Sequence, residues 1–335
     1  MAHVVPKTQV GARPQTGGGR VVAIDQFRGL TIVLMVAANY FGGVSGIPNW
    51  LKHAPDIGLT PVDLVAPMFI FAIGLTYGLS AERRLARDGR SATLAHFSRR
   101  YLAILGIGAI ITGVQDYMGA LGSEGWGVLQ AIGMAGLLAL PALFWPAPVK
   151  IGAALGILMA YQYLLDRYWV SRVLQLSHGG LPGSLAWGGM LILSMGLADL
   201  YHGRGGGDRS GWRLAWGLLA CAVLGLGLSF ISPISKNRVS AAYVLVSVAI
   251  SGAVYLGFHL LLSGRRLSLL VAWGQNPLLL YVLHLGLLGM FVLPPSLGWY
   301  AMAQWPLILA QLALLIGAIS AVAWYLYRRR WTLVL

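Results

Sequence analysis

The feature that most constrains this chain is a succession of apolar runs, each close to the roughly 20 residues an α-helix needs to cross a bilayer. Ten are read from the sequence, at about 27–46, 61–80, 98–117, 126–146, 148–167, 183–202, 211–231, 240–262, 270–293 and 305–327. Within lipid such a run must satisfy its own backbone N–H and C=O groups, and a helix does so. The expected fold is an all-α, polytopic membrane helical bundle of about ten transmembrane helices. Composition agrees: of 335 residues 57% are hydrophobic and 10% charged, against about 25% charged in soluble domains. Residues 1–20 are polar, rich in Gly, Pro and Thr, and lack an apolar segment. They are read as a flexible cytoplasmic tail ahead of one transmembrane domain over 21–335.

Charge orients the bundle. With the N-terminus inside, 19 of the 24 Lys and Arg residues fall on the inner side. Only Lys52, Arg167, Arg172, Lys236 and Arg238 fall outside. Basic loops stay cytoplasmic, so both termini are expected inside. The net charge of +14 is read as loops facing anionic lipid, not as a nucleic-acid surface. The single Cys221 allows no disulfide within the chain. GxSxG, Walker A, HExxH and Cys pairs are missing, and seven scattered histidines give no metal site.

Ionisable and polar groups at membrane depth are costly and therefore candidates for function. Asp25 and Arg28 in AIDQFRGL are three apart and share a helix face. They form either an anchoring ion pair or a polar inner vestibule. Asn39 ends the first apolar run, as a helix cap would, and His53 follows in the loop NYFGGVSGIPNWLKHAPDIG. Thr60, Pro61 and Asp63 make a helix start, and Asp63 is also placed to orient a nearby imidazole. In WGQNPLLLYVLH, Gln275, Asn276 and Pro277 open another helix. His284 lies about 12 Å further along it, on roughly the same face, as a satisfied interior histidine or as part of a site. SPISKNR puts Lys236, Asn237 and Arg238 in an outer loop, as tolerated charges or as the lining of a site.

The blocks IDQFRGLTIVLMVAANY and KHAPDIGLTPVDLVAPMFIFAIG resemble the heparan-alpha-glucosaminide N-acetyltransferase family and its prokaryotic relatives. SPISKNRVSAAYVL and GQNPLLLYVLH are similar to two further family segments, so the likeness runs over roughly residues 20–290. The resemblance implies a transmembrane acyltransferase domain that moves an acetyl group from cytosolic acetyl-CoA to the amine of a glucosamine-type sugar or glycan at the outer face. It implies His53 and Asn39 as the catalytic pair, with His53 as the acid/base. One departure is Asp56, where the family has an aromatic residue after His-Ala.

With that implication, Asp63, Lys236, Asn237, Asn276 and His284 are expected around the acceptor. Asp25, Arg28, Arg84, Arg100 and Arg265 are expected to hold acetyl-CoA, because the guanidinium fork suits phosphate. Imidazole titrates near neutral pH and suits deprotonation of an ammonium acceptor. Asn39 offers an amide donor to the thioester oxygen. Direct attack by the amine and an acetyl-histidine intermediate both fit. The expected partners are the acceptor and membrane lipid, with a homodimer left open, no nucleic acid and no metal. A prokaryotic plasma membrane is the expected location. A glycan or solute transporter or flippase, and an O-acyltransferase of a surface polysaccharide, are the alternatives.

Overall fold

The computed structural model describes residues 22–117, 125–202, 209–262, 265–294, 296 and 298–333. The tail at 1–20, with Lys7, Arg13 and Arg20, lies outside the described residues, as does Arg204. Among those described there is helix and no strand. The helices are α1 (Val22–Gly42), α2 (Val65–Tyr117), α3 (Val128–Leu138), α4 (Ala147–Leu164), α5 (Val170–Leu174) and α6 (Gly180–His202). They continue with α7 (Arg209–Ser229), α8 (Ala241–Leu261), α9 (Ser268–Gln275), α10 (Pro277–Val292) and α11 (Trp305–Arg328).

Among the described residues, seven helical stretches are long and apolar enough to cross a membrane, or eight if the bent pair α9–α10 is one span. The expected count of ten is thus not reached on length alone, for two reasons. Run 126–146 is interrupted: α3 has 11 residues and gives way to a 3-10 turn at Pro141–Phe144. Pro141 has no N–H to continue the α-helical ladder. Runs 61–80 and 98–117 are both helical but belong to the same stretch, α2, which is broken at Gly89 (φ 80°, ψ 175°). Only a residue without Cβ takes that conformation cheaply. Along a straight helix Tyr77 and Tyr101 would stand about 36 Å apart, yet their rings are 5.3 Å apart. The chain therefore folds back at Gly89, and α2 is two antiparallel helices.

Run 270–293 is also broken. Asn276 leaves helical geometry (φ −126°, ψ 53°), Pro277 opens α10, and the two axes meet at 88°. The short α9 then lies against α1 through two glycines. A Cβ on Gly29 would overlap the Leu270 carbonyl oxygen, and one on Gly274 the Asp25 carbonyl oxygen. Small residues allow this close backbone approach where membrane helices cross. Elsewhere, Lys150 Nζ on α4 meets Asp199 Oδ2 on α6 at 2.5 Å, a buried cation kept with a counter-ion.

Two apolar clusters fill the bundle. The larger joins α2, α3, α4, α6 and α8 around Phe71, Phe97, Trp187 and Tyr255. The smaller gathers Tyr40, Trp273, Phe291 and Tyr300 from α1, α9, α10 and the segment before α11. Here Tyr40 donates to Gln311 Oε1 (2.7 Å), and Tyr300 donates to the Tyr40 carbonyl (2.7 Å). These bonds set the rotation of α1, and with it the direction in which Asn39 points.

Candidate active site

His53 follows a 3-10 turn at Asn49–Leu51, and Asp63 lies in the 3-10 turn Pro61–Leu64 that starts α2. The helix-start pattern forms as the sequence suggests. Asp63 Oδ2 accepts from the amides of Thr60 (3.0 Å) and Ala54 (3.2 Å), which offsets the cost of burying this carboxylate completely. Its Oδ1 faces His53 Nδ1 at 2.7 Å. An ionised carboxylate only accepts, so Nδ1 carries a proton and, in the neutral ring, the lone pair is on Nε2. The His53 side chain is 45% exposed. The loop therefore presents an oriented, exposed imidazole.

Asn39 has a different partner. Its Nδ2 stands 2.8 Å from Nε2 of His284 on α10. An amide nitrogen only donates, so His284 accepts through Nε2 and carries its proton on Nδ1. The His284 ring is fully buried and packs edge-on against Tyr281, with ring centroids 4.9 Å apart. Asn39 is thus held by an interior histidine, while His53 is held by Asp63.

From the opposite end of α1 a cavity of about 360 Å³ enters the bundle. Asp25, Arg28, Arg83 and Arg100 line it, together with Asn276 and Leu333. Arg28 lies within reach of Asp25 (3.4 Å), the Gly274 carbonyl (3.3 Å) and Thr76 Oγ1 (3.4 Å). Ile32, Met35, Phe69 and Tyr281 also line the cavity. Met35 is one helical turn before Asn39 and Tyr281 is one turn before His284, so the cavity reaches to within about a turn of that pair.

The residues expected to hold acetyl-CoA divide here. Asp25, Arg28 and Arg100 line the cavity. Arg84 instead pairs with Asp88 (3.1 Å), and Arg265 is exposed away from the lining. Arg83 lines the cavity as well. Thr76, Ser80 and Arg83 follow i, i+4, i+7 spacing, which puts them on one face, and that polar stripe was the available signal.

The residues expected around the acceptor also divide. Asp63, Lys236 and Asn237 lie together at the His53 end. Asn237 Nδ2 donates to the Pro55 carbonyl (2.5 Å). Lys236 is buried, and the loss of water pushes its ammonium pKa down to about 8 against the pull of Asp63. Asn276 is at the other end, where it ties the C-terminal segment through Trp331 O (2.9 Å) and Leu333 N (2.7 Å).

The family described as "Heparan-alpha-glucosaminide N-acetyltransferase, catalytic" matches residues 20–192. That segment holds Asn39, His53 and Asp63. Mouse heparan-alpha-glucosaminide N-acetyltransferase is 34% identical over 142 residues, covering 40% of this chain and 21% of the mouse protein. The human protein of the same name is 36% identical over 120 residues, covering 34% of this chain and 18% of the human one. The chain thus matches about a fifth of the length of these relatives. Because the family match takes in just over half of the chain, the chain belongs to the heparan-alpha-glucosaminide N-acetyltransferase catalytic family.

Proposed function

We propose that this protein is a membrane N-acetyltransferase that carries acetyl from acetyl-CoA, entering on the cytoplasmic side, to the amine of a glucosamine-type sugar on the outer side. The observation that carries this reading is the His53–Asp63 hydrogen bond, which supports Nε2 of His53 as the base. The cavity supports it from the other end. Arg28, Arg83 and Arg100 suit the phosphates of CoA, and the apolar lining up to Met35 and Tyr281 suits pantetheine. Basic residues at the cavity mouth agree with a cytoplasmic opening. Counting the fold-back at Gly89, the bent pair α9–α10, and α3 with its 3-10 turn as passes gives an even number, and both termini then share the cytoplasmic side.

The amine lone pair attacks the thioester carbonyl carbon. His53 Nε2 takes the amine proton, and Asp63 stabilises the imidazolium that results. Asn39, held by His284, donates its remaining amide hydrogen to the carbonyl oxygen as negative charge develops there, a contribution of about 3–4 kcal/mol. The C–S bond then breaks, and the CoA thiolate leaves and takes up a proton. No covalent enzyme intermediate is needed.

The test is transfer of labelled acetyl from acetyl-CoA to a panel of amino sugars by the purified chain in proteoliposomes. N-acetylated product is expected. Product on sugars whose amine is blocked would point to O-acylation, and sugar flux without acetyl-CoA would point to transport. Replacing Arg28 or Arg100 with alanine should raise the KM for acetyl-CoA by about 10–100-fold, one charge-assisted hydrogen bond's worth. A KM that stays put in both variants would remove phosphate binding from this cavity.

A further inference from the structure

Asp56, read from the sequence as a departure from the pattern the chain resembles, has a partner 182 positions away. Arg238 Nε lies 3.0 and 3.1 Å from the two Asp56 oxygens, and Arg238 Nη2 lies 2.5 Å from Oδ2. Ser235 Oγ donates to Oδ1 at 2.8 Å. The Asn237 side chain donates to the Pro55 carbonyl, and the Gly58 amide donates to the Ile234 carbonyl (2.9 Å). Two loops are therefore laced together by side chains and backbone on both flanks of Asp56.

The loop that supplies these groups is itself held tightly. Val239 is fully buried at φ 50°, a conformation that costs a β-branched residue energy. Such strain persists only where the surroundings over-determine it. Here Tyr161 donates to the Arg238 carbonyl (2.6 Å), Gln162 accepts from the Ala241 amide (2.9 Å), and Ser240 caps α8. Gly179 lies so close to Val239 that a Cβ there would stand 2.9 Å from Val239 Cγ2. By contrast, residues 52–59 have no regular secondary structure, and among the described residues the hydrogen bond that holds the His53 ring is the one to Asp63.

We propose that the Asp56–Arg238–Ser235 clamp is a positioning device, which fixes the His53 loop on the rigid 233–240 loop and so holds the line from Asp63 through the ring to the acceptor. Asp56 touches no reacting atom; it acts through the backbone of residues 53–58. The clamp also keeps the buried Lys236 ammonium beside Asp63, since Lys236 sits between Ser235 and Asn237, which are both engaged. Arg238 holds the Asp56 carboxyl below the usual carboxylate range. Stability from such a depressed carboxyl is present above its unfolded pKa and is lost only as pH falls through the folded one. The clamp is therefore charged at neutral and mildly acid pH.

This inference rests on His53 as the base, so its test has an arm that does not need turnover. Asp56→Asn, Arg238→Gln and the double variant are compared in the purified full chain. Hydrogen exchange is followed in the peptide spanning residues 53–60, which contains the Ala54 amide bonded to Asp63 and the Gly58 amide bonded to Ile234. Faster exchange there is expected in all three variants. In turnover, kcat should fall about ten- to a hundredfold, as for a small misplacement of a reacting group, with the KM for acetyl-CoA unchanged. The double variant should be no worse than either single one, because they break one unit. Unchanged exchange in Asp56→Asn overturns the clamp whether or not the chain turns over. Faster exchange with wild-type kcat overturns its role in positioning. If the wild type acetylates no amino sugar, the proposed function fails and exchange alone decides the clamp. If a single variant does not fold, Ser235→Ala, which removes the hydroxyl bonded to Asp56 Oδ1 and to the Arg238 amide, replaces it in the same comparison.

Discussion

Acetyl transfer by His53→Ala is expected to fall by roughly 10²–10⁴-fold in kcat, the range of a general base, while acetyl-CoA binding stays within about twofold of wild type. The reason lies in separation. His53 and Asp63 form one unit in the loop between α1 and α2, whereas the cavity begins among Asp25, Arg28 and Arg100. Asp63→Asn should lose a similar factor. An amide at that position can donate to Nδ1, which would put the proton on Nε2 and leave the ring unable to accept one from the amine. The two variants are checked by initial rates with a saturating amino sugar and by direct binding of acetyl-CoA in detergent. His53→Ala with wild-type turnover would remove the base from the mechanism. Loss of acetyl-CoA binding in the same variant would show that the two ends are not separate.

Gly274→Val is expected to cost stability near the upper end of roughly 1–3 kcal/mol for an overpacked site, and to lose acetyl-CoA binding as well. The atom a new Cβ would strike is the Asp25 carbonyl oxygen, part of the α1 backbone. A backbone atom in a helix cannot rotate away as a side chain would, so α9 must separate from α1. Arg28 reaches the Gly274 carbonyl at 3.3 Å, and the same separation would pull this arginine out of the cavity wall. Gly317 on α11, where an added Cβ would meet nothing within 4 Å, supplies the control: Gly317→Ala should melt with the wild type. The measurement is the thermal midpoint in detergent with and without acetyl-CoA. A wild-type midpoint for Gly274→Val would contradict the close crossing of α1 and α9.

The local parts of the site are legible in the sequence. Thr60, Pro61 and Asp63 read as a helix start, and they form one. Asn276 and Pro277 read as another, and a helix begins there. Asp25 and Arg28 share a face and meet. All of these depend on residues within a few positions of one another, where backbone geometry follows from side-chain chemistry. Asn39 and His53 stand out as a catalytic pair only through the family resemblance. Of their direct partners, Asp63 reads as placed to orient an imidazole, and it does hold His53. His284 reads as a satisfied interior histidine or as a residue around the acceptor, and it is buried and bonded to Asn39.

The count of spans is not reached on length alone for a related reason. Apolarity is as strong in 126–146 as elsewhere, but Pro141 limits α3 to 11 residues. Likewise, 270–293 reads as one run, yet Pro277 turns it through 88°. That turn carries Asn276 to the cavity with Arg28 while leaving His284 beside Asn39, so residues eight apart serve opposite ends of the site.

The sequence by itself determined that this chain is helical and apolar enough for a membrane, where two of its helices start, and which polar groups are too costly to be there without a purpose. Only the tertiary structure decided who meets whom: Asn39 with His284, Asp56 with Arg238, Arg83 rather than Arg84 at the cavity. Hydropathy reports how apolar a segment is, and it is nearly the same whichever way a helix is turned. The turn of each helix is set by contacts such as Gly29 and Gly274 at the α1–α9 crossing and Tyr40 with Gln311, between residues far apart in the chain, and it is this rotation that aims each polar side chain.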